Sequence, residues 1–204
     1  MTQLGLFPVC DLTPDLDAYD VILVNTSGGK DSLVMADEIH RLLGADERIV
    51  AVHADLGEME WPDTRALAER QIARYGWRFI ATERTDGMSL LDGIERRGMW
   101  PSAAARYCTS DWKRGPIRRV MTRLAAEHPS SPCRILSCLG FRAEESRARS
   151  QRPVLSQNAS ASTKTTRHVD EWLPVFRWTA TDVWERIHAS ALEYHPAYDL
   201  RGVT

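Results

Sequence analysis

An apolar run, Tyr19-Asp-Val-Ile-Leu-Val-Asn25, is followed after Thr26 by a glycine-rich segment, Ser27-Gly-Gly-Lys-Asp-Ser32. A short, continuous apolar run that ends in small residues is typical of a buried parallel strand. Beyond Ser32, apolar residues recur at helical spacing up to Gly44, a residue type favoured just after the end of a helix. The strand, the glycine-rich loop and the helix therefore predict the first half of a βαβ unit.

The same alternation of strand and helix continues along the chain. We predict further strands at 49–53, 77–81 and 133–139, and further helices at 64–75, 88–97 and 116–127, with 101–111 irregular. A Thr179 to Asp182 capping box opens a short C-terminal helical segment from about residue 179. This order predicts an α/β fold with a doubly wound, mostly parallel sheet flanked by helices.

Residues 150–167 are polar, small and nearly free of large apolar side chains. We predict a mobile loop there, not a domain boundary, because such a segment has little apolar surface to bury. The chain of 204 residues has 43% hydrophobic and 26% charged residues, which excludes an intrinsically disordered chain or a coiled coil. We therefore expect residues 1–204 to form one domain.

Neither a signal peptide in residues 1–20 nor an apolar run of about 20 residues is present in the sequence. We expect a cytoplasmic protein without a membrane partner. The four cysteines, Cys10, Cys108, Cys133 and Cys138, match no zinc or CxxC spacing, so we expect reduced thiols. Cys133 and Cys138 fall on one predicted buried strand, five residues apart, and are expected in the core on opposite faces.

The formal net charge of −2 hides a division, because residues 96–152 hold 13 lysines and arginines against 4 aspartates and glutamates. A concentration of arginine indicates a partner that carries phosphates, either a nucleotide or a nucleic acid. The alternative is a solvated basic surface.

The loop at 27–32 has the chemistry of an anion site. Glycines let the backbone approach an anion closely, and amides at a helix N-terminus can donate to phosphate. Lys30 adds a full charge, and Ser27 and Ser32 add hydroxyl groups. The loop is not a Walker A motif, because Val24 occupies the position of the first glycine. A plain packing turn is the alternative.

Ser27-Gly-Gly-Lys-Asp-Ser32 resembles the pyrophosphate loop of the PP-loop, or adenine nucleotide alpha hydrolase-like, superfamily. Three later motifs resemble its phosphoadenosine phosphosulfate (PAPS) reductase-like family: Arg106-Tyr-Cys-Thr-Ser-Asp-Trp-Lys113, Gly140-Phe-Arg-Ala-Glu-Glu-Ser146 and Pro174-Val-Phe-Arg-Trp-Thr-Ala-Thr-Asp-Val-Trp184. The resemblance implies a Rossmann-like sheet that binds an adenine nucleotide and an enzyme that cleaves ATP between its α and β phosphates.

The resemblance leaves three functions open. The first is an ATP pyrophosphatase or transferase that releases pyrophosphate to activate an acceptor, in a reaction that fits sulfur transfer. The intact loop favours it, because reductases of the family generally carry an altered loop. The second is a PAPS or adenylyl-sulfate reductase, and the third a non-enzymatic nucleotide-sensing or nucleic-acid-binding module. The acceptor stays open between a nucleic acid and a sulfur-donor protein, and so does assembly into a homo-oligomer.

The resemblance and the residue chemistry together predict the site. The expected catalytic residues are Lys30, Cys108 and Arg142. The expected nucleotide-binding residues are Ser27, Gly28, Gly29, Lys30, Asp31, Ser32, His53, Asp55, Lys113 and Arg142. Mg²⁺ is expected with ATP, bound through Asp31 and Asp55, because magnesium commonly binds through one or two carboxylates plus substrate phosphates.

Four of these residues have an alternative role that the sequence leaves open. Asp55 follows the second strand at the carboxyl edge of the sheet, where it can bind ribose or metal, or simply close a turn. His53 is equally consistent with packing at a strand end. Cys108, flanked by Arg106 and Lys113, is either a reactive thiolate or a thiol that lines the substrate site. Arg142 binds phosphate or forms an ion pair.

Overall fold

The computed structural model of the protein describes residues 12–102 and 104–201, with only the backbone of residue 201. Its strands are β1 (Val21–Thr26), β2 (Ile49–Ala54), β3 (Arg78–Thr82), β4 (Cys133–Leu139), β5 (Leu155–Gln157) and β6 (Arg167–Trp172). They form one six-stranded sheet in the order β3-β2-β1-β4-β6-β5. Every neighbouring pair is parallel except β5 with β6. The predicted α/β fold with a Rossmann-like, doubly wound and mostly parallel sheet is confirmed.

The helices flank this sheet. They are α1 (Lys30–Leu43), α2 (Thr64–Ala73), α3 (Leu90–Arg97), α4 (Gly115–Glu127), α5 (Arg147–Ser150), α6 (Ala180–Ala189) and α7 (Ala197–Arg201), and a π-helix (Cys108–Arg114) runs directly into α4. Short 3₁₀ turns occupy Leu16–Ala18, Gly57–Met59 and Ala143–Glu145. Within the described part of the chain, no helix has the length and apolarity to cross a membrane.

The core lies on both faces of the sheet, as the continuous apolar character of β1 requires. Ile22 and Val24 face one cluster, which includes apolar residues of α1 and α6. Val21 and Leu23 face the other, which includes apolar residues of α4. Because side chains alternate along a strand, β1 packs against both clusters. The loop that follows β1 therefore begins at a fixed point in the core.

The boundaries of the main helices agree with the sequence. The helix after the glycine loop ends at Leu43, and the Gly44 N–H donates to the His40 carbonyl, as expected for the residue that ends a helix. Thr179 and Asp182 form the predicted capping box at the start of α6. Residues 108–111, predicted to be irregular, belong instead to the π-helix.

The loop prediction for residues 150–167 is wrong for Leu155–Gln157, which forms β5 at the antiparallel edge of the sheet. Local side-chain hydrogen bonds order the polar residues that follow. The Asn158 amide donates to Glu171 at 2.8 Å, and its oxygen accepts the Ala161 N–H at 3.0 Å. The small polar side chains therefore build a turn between β5 and β6.

Cys133 and Cys138 are fully buried and belong to the two core clusters on opposite faces of the sheet, as predicted. Burial raises the pKa of Cys133 to about 11 and raises that of Cys138 further. Both are free thiols, as is the half-buried Cys108. Cys10 lies outside the described residues.

Candidate functional site

The glycine loop (Ser27–Ser32) lies at the carboxyl end of β1 and leads into α1. Gly28 has φ +72°, a conformation that side chains with a Cβ rarely adopt. A Cβ on Gly28 would also lie 3.1 Å from Thr64 Cγ2 of α2. The first glycine is therefore required both by its dihedral angle and by its close approach to α2.

The two serines of the glycine loop differ in what their hydroxyl groups can reach. Ser32 is buried, accepts the Ser27 N–H at 3.1 Å and donates to the Gly29 carbonyl at 2.9 Å, so its hydroxyl closes the loop upon itself. The Ser27 side chain is exposed and lies beside it. Ser27 is thus the serine whose hydroxyl is accessible to a ligand.

The first turn of α1 presents amide groups to this loop. Gly29 is the N-cap residue and supplies no side-chain cap. The first amides of a helix lack intrahelical acceptors and carry partial positive charge, so they favour an anion. The Lys30 N–H donates at 3.2 Å to the hydroxyl of Tyr198, from the C-terminal part of the chain.

Charged side chains form a chain of ion pairs behind the loop. Lys30 is buried, with Nζ 3.4 Å from Asp31 Oδ2 and 5.3 Å from the centre of the Tyr198 ring. Arg142 is also buried, with Nε 2.5 Å from Asp31 Oδ1, and it pairs with Glu144. Burial alone would lower the pKa of Arg142, but Asp31 and Glu144 outweigh it and raise that pKa above its ordinary value.

Gly140, at the end of β4, packs against the backbone of the same turn. A Cβ there would lie 2.7 Å from the Asp31 carbonyl oxygen and 2.9 Å from the Ser32 nitrogen. Only glycine lets the end of β4 come this close to α1. The close approach lets Arg142 reach Asp31.

A cavity of about 510 Å³ opens beside the glycine loop. Its walls come from the loop, the turn after β2, the π-helix and the C-terminal part of the chain: Ser27, Gly28, Gly29, Leu56, Glu58, Met59, Glu60, Trp61, Thr64, Lys113, His195, Ala197 and Tyr198. The structure thus brings the predicted Lys113 to the same cavity as the predicted Ser27, Gly28 and Gly29, whereas Lys30, Asp31 and Ser32 do not line it.

Other predicted site residues lie outside the walls of this cavity. Asp55 borders a neighbouring cavity of about 530 Å³ and pairs with Arg65 at 3.2 Å. His53 is fully buried between the Thr26 carbonyl and Glu60. Cys108 packs against the small apolar cluster around Trp112.

The basic segment, residues 96–152, offers fewer unpaired positive charges than its composition indicates. Arg97 pairs with Asp111, Arg123 with Glu127, and Arg149 with Glu145. Lys113 is exposed and lines the cavity, whereas Arg142 is neutralised inside the protein. The segment is therefore partly a set of surface ion pairs.

The sequence reasoning missed residues 190–198, the C-terminal strap, which runs along α2 and ends at the glycine loop. Gln71 donates to the Glu193 carbonyl at 2.8 Å, and Arg74 donates to the carbonyls of Ser190 and Ala191. The strap continues through His195 and ends with Tyr198 over Lys30. Pro196, a favoured residue at a helix start, was the available signal for α7, but nothing local indicated its destination.

Comparison with known proteins gives the family and the fold of the chain. The family model of the phosphoadenosine phosphosulfate reductase domain matches residues 21–202. A search of curated proteins finds no match.

Three solved structures share the fold at low sequence identity. Phosphoadenylyl-sulfate (PAPS) reductase from Candida auris, in a phosphate complex, is 19% identical with TM-score 0.61, covering 91% of this chain and 80% of that one. The U34-tRNA thiolase NcsA from Methanococcus maripaludis, with its 4Fe–4S cluster, is 18% identical with TM-score 0.52. The match covers 87% of this chain and 59% of the thiolase. The NH3-dependent NAD synthetase from Campylobacter jejuni, in complex with the nitrate ion, is 13% identical with TM-score 0.50. The match covers 90% of this chain and 69% of the synthetase.

Proposed function

This chain belongs to the phosphoadenosine phosphosulfate reductase domain family, within the PP-loop superfamily, and we propose that it binds ATP and cleaves it between the α and β phosphates. The pyrophosphate would be released as an acceptor is activated. The observation that carries the proposal is the intact glycine loop at the N-terminus of α1, whose Ser27, Gly28 and Gly29 line one cavity together with Lys113.

The reaction builds negative charge at the glycine loop. An acceptor oxygen attacks the α phosphorus, the bond to the oxygen shared with the β phosphorus breaks, and pyrophosphate leaves with that oxygen and its electron pair. The acceptor proton passes to solvent. Preorganised donors lower the cost of this charge, each by roughly 3 kcal/mol in comparable oxyanion sites. The first amides of α1, the exposed Ser27 hydroxyl and the Lys113 ammonium are the donors that we assign to the phosphates.

Lys30 supplies a cation behind these donors. Its ammonium is buried and held between Asp31 and the Tyr198 ring. In such a water-poor place a charge acts on phosphate more strongly than in solvent. We therefore propose Lys30 as the catalytic cation; contact with the leaving pyrophosphate would require its ammonium to turn from Asp31 toward the cavity, whose described walls do not include it.

Arg142 and Asp31 have a positioning role in this proposal. Arg142 does not line the cavity within the described part of the chain, and its guanidinium is engaged by Asp31 and Glu144. The pair fixes the first turn of α1 against the end of β4. We therefore propose that Arg142 supports the loop through Asp31.

The residues proposed for Mg²⁺ fit it unequally. Asp31 has one oxygen beside Arg142 and the other beside Lys30, so it does not fit a magnesium ligand in this arrangement. Asp55 borders solvent, and its cationic partner among the described residues is the exposed Arg65. If magnesium binds with ATP, Asp55 would hold it, and the ion would neutralise phosphate charge.

A PAPS or adenylyl-sulfate reductase is the second candidate, favoured by the family model itself. It requires a thiol nucleophile, and Cys108 is the thiol with partial exposure among the described cysteines. In the ATP reaction the same thiol would assist sulfur transfer. The acceptor would be a nucleic acid or a sulfur-donor protein, in a cytoplasmic setting.

Parallel calorimetric titrations with ATP, PAPS and adenylyl sulfate separate these candidates. We expect ATP to bind and inorganic pyrophosphate to compete with it. Preference for a sulfonucleotide, together with sulfite release that Cys108→Ser abolishes, would favour the reductase instead. ATP binding without turnover, together with salt-sensitive nucleic-acid binding that survives Lys30→Met, would favour a binding module.

A further inference from the structure

We propose that His53, Asp55 and Glu60 form a binding site for a divalent transition-metal ion, with Zn²⁺ as the best fit, at the carboxyl end of β2. One ligand atom from each of the three side chains lies within 4.8 Å of the other two. His53 comes from β2 itself, and the two carboxylates come from the turn that follows it. The inference does not depend on the proposed ATP reaction.

The hydrogen bonds of His53 fix which ring nitrogen faces the carboxylates. Nδ1 lies 3.1 Å from the carbonyl oxygen of Thr26, which can only accept, so Nδ1 carries a proton. Nε2 of a neutral imidazole then has a lone pair, and it lies 3.1 Å from Glu60 Oε2. Two lone-pair atoms at this distance are bridged either by a proton that one of the two groups carries or by a metal ion.

The surroundings of His53 are those of a metal-binding imidazole. Such a histidine almost always donates its other N–H to a carbonyl or carboxylate, which fixes the tautomer and the ring orientation. The His53 ring is fully buried and stacks on Phe79 with ring centres 6.5 Å apart. The nitrogen that would bind the ion is therefore held in place before the ion arrives.

The two carboxylates are oriented and remain reachable from solvent. Asp55 accepts the Gly57 N–H at 2.9 Å, and Arg65, itself 60% exposed, contacts its other oxygen. Each carboxylate has about four lone-pair sites, so these contacts leave room for an ion. The Asp55 and Glu60 side chains are 16% and 14% exposed, and Glu60 borders both cavities, which gives the ion a path of entry.

The donor set decides the kind of metal. An imidazole nitrogen suits zinc and other transition metals, whereas magnesium and calcium prefer oxygen ligands. Three protein ligands with a fourth position open to water are the pattern of zinc sites that carry chemistry. Asp55 is also the residue that would hold magnesium with ATP, so the two ions would compete for its carboxylate, and the imidazole of His53 favours zinc.

A second cluster, Asp20 with His128 and Cys133, provides a contrast within the described residues. There the His128 Nδ1 already accepts the Ser130 N–H at 3.2 Å, and Asp20 accepts the Arg134 N–H at 2.7 Å. Backbone donors thus account for these polar atoms without an ion. Among the residues that the structure describes, no backbone N–H donates to His53 Nε2 or to the Glu60 carboxylate.

The test is calorimetric titration of the full, chelator-treated chain with Zn²⁺, supported by the visible absorption spectrum after Co²⁺ addition. We expect one ion per chain, and affinity reduced tenfold or more in Glu60→Gln and Asp55→Asn. Glu58→Gln, an exposed carboxylate in the same turn, is the matched control and should bind zinc as the wild type does. Circular dichroism confirms that each variant is folded.

Two results would overturn the site. Zinc binding that is unchanged in Glu60→Gln would place the ion elsewhere, for example at Cys133. Absence of zinc binding to the wild type, with nitrogen-15 NMR showing both ring nitrogens of His53 protonated, would assign the cation to a second proton and make the pair a buried ion pair.

Discussion

The hydroxyl of Tyr198 accepts the backbone N–H of Lys30 at 3.2 Å, which joins the C-terminal strap to the first turn of α1. The two residues are 168 positions apart in the sequence. A tyrosine hydroxyl can accept from this amide and still donate its own proton. Tyr198 also lines the cavity beside the loop, so a bound phosphate would receive that proton as a hydrogen bond.

Tyr198→Phe should therefore weaken ATP binding about threefold to tenfold, the effect of one hydrogen bond worth roughly 0.5–1.5 kcal/mol. Isothermal titration calorimetry measures the ATP affinity of the variant and the wild type. Tyr194→Phe is the control, because its hydroxyl donates to Asp199 at 3.0 Å and does not line the cavity. Tighter binding by Tyr198→Phe would show instead that the hydroxyl blocks the phosphate position.

This contact shows where prediction from sequence ends. The glycine loop and α1 were predictable, because glycines, a buried strand and a periodic helix adjoin in the sequence. The strap was not, because its position depends on packing along α2 through Gln71 and Arg74. Polar β6 carries only Val169 and Trp172 as large apolar residues, so its place in the sheet had no clear periodic signal.

The predicted side chains show the same division. Lys113 reaches the cavity through the π-helix, whose geometry could not be read from a stretch that looked irregular. Arg142 follows β4 at the expected edge, but its buried partner Asp31 could be found only by placing Gly140 against α1. Local patterns thus indicate which residues approach the site, and tertiary packing decides which of them remain free.

Lys30→Met should weaken the binding of inorganic pyrophosphate about 10-fold to 100-fold. The variant keeps the length of the side chain and removes its charge, and a hydrogen bond to a charged group is worth about 1.5–3 kcal/mol. Titration calorimetry provides the measurement. Lys164→Met, in the exposed turn before β6, should leave affinity unchanged, and an equal loss in both variants would contradict a specific role for Lys30.

Gly140→Ala should destabilise the protein by about 1–3 kcal/mol, because its Cβ would lie 2.7 Å from the Asp31 carbonyl oxygen and force backbone to move. Urea unfolding measures the change. Gly115→Ala is the control, because its Cβ would meet its nearest neighbour at 3.4 Å, an ordinary contact. Equal stability of the two variants would show that β4 and α1 are not tightly packed here.

The buried thiol of Cys133 should make the protein less stable as pH rises into the alkaline range. Burial, aided by the Asp20 charge, raises its pKa from 9.0 to about 11 in the folded protein. As pH rises, the thiol therefore loses its proton in the unfolded chain before it does so in the folded protein. The neutral thiol contributes fully to the free energy of unfolding below pH 9, and this contribution is lost as pH rises to about 11. It amounts to about 2 kcal/mol.

Urea unfolding at pH 8 and pH 11 tests this dependence. Cys133→Ala should lose about 2 kcal/mol less stability between the two pH values than the wild type does. Cys108→Ala, at a half-buried position, should follow the wild type. A decline in Cys133→Ala as steep as that of the wild type would contradict the buried neutral thiol.

We have proposed that the glycine loop supports cleavage between the α and β phosphates of ATP. The measurement follows the label of γ-³²P ATP, and AMP by chromatography, with RNA, DNA and protein offered as the acceptor in turn and a persulfide-bearing protein present as the sulfur donor. We predict labelled pyrophosphate with one of them and an equal amount of AMP, which is first bound to the acceptor and is released when sulfur displaces it; neither product should form with Lys30→Met. Labelled orthophosphate with ADP would contradict it.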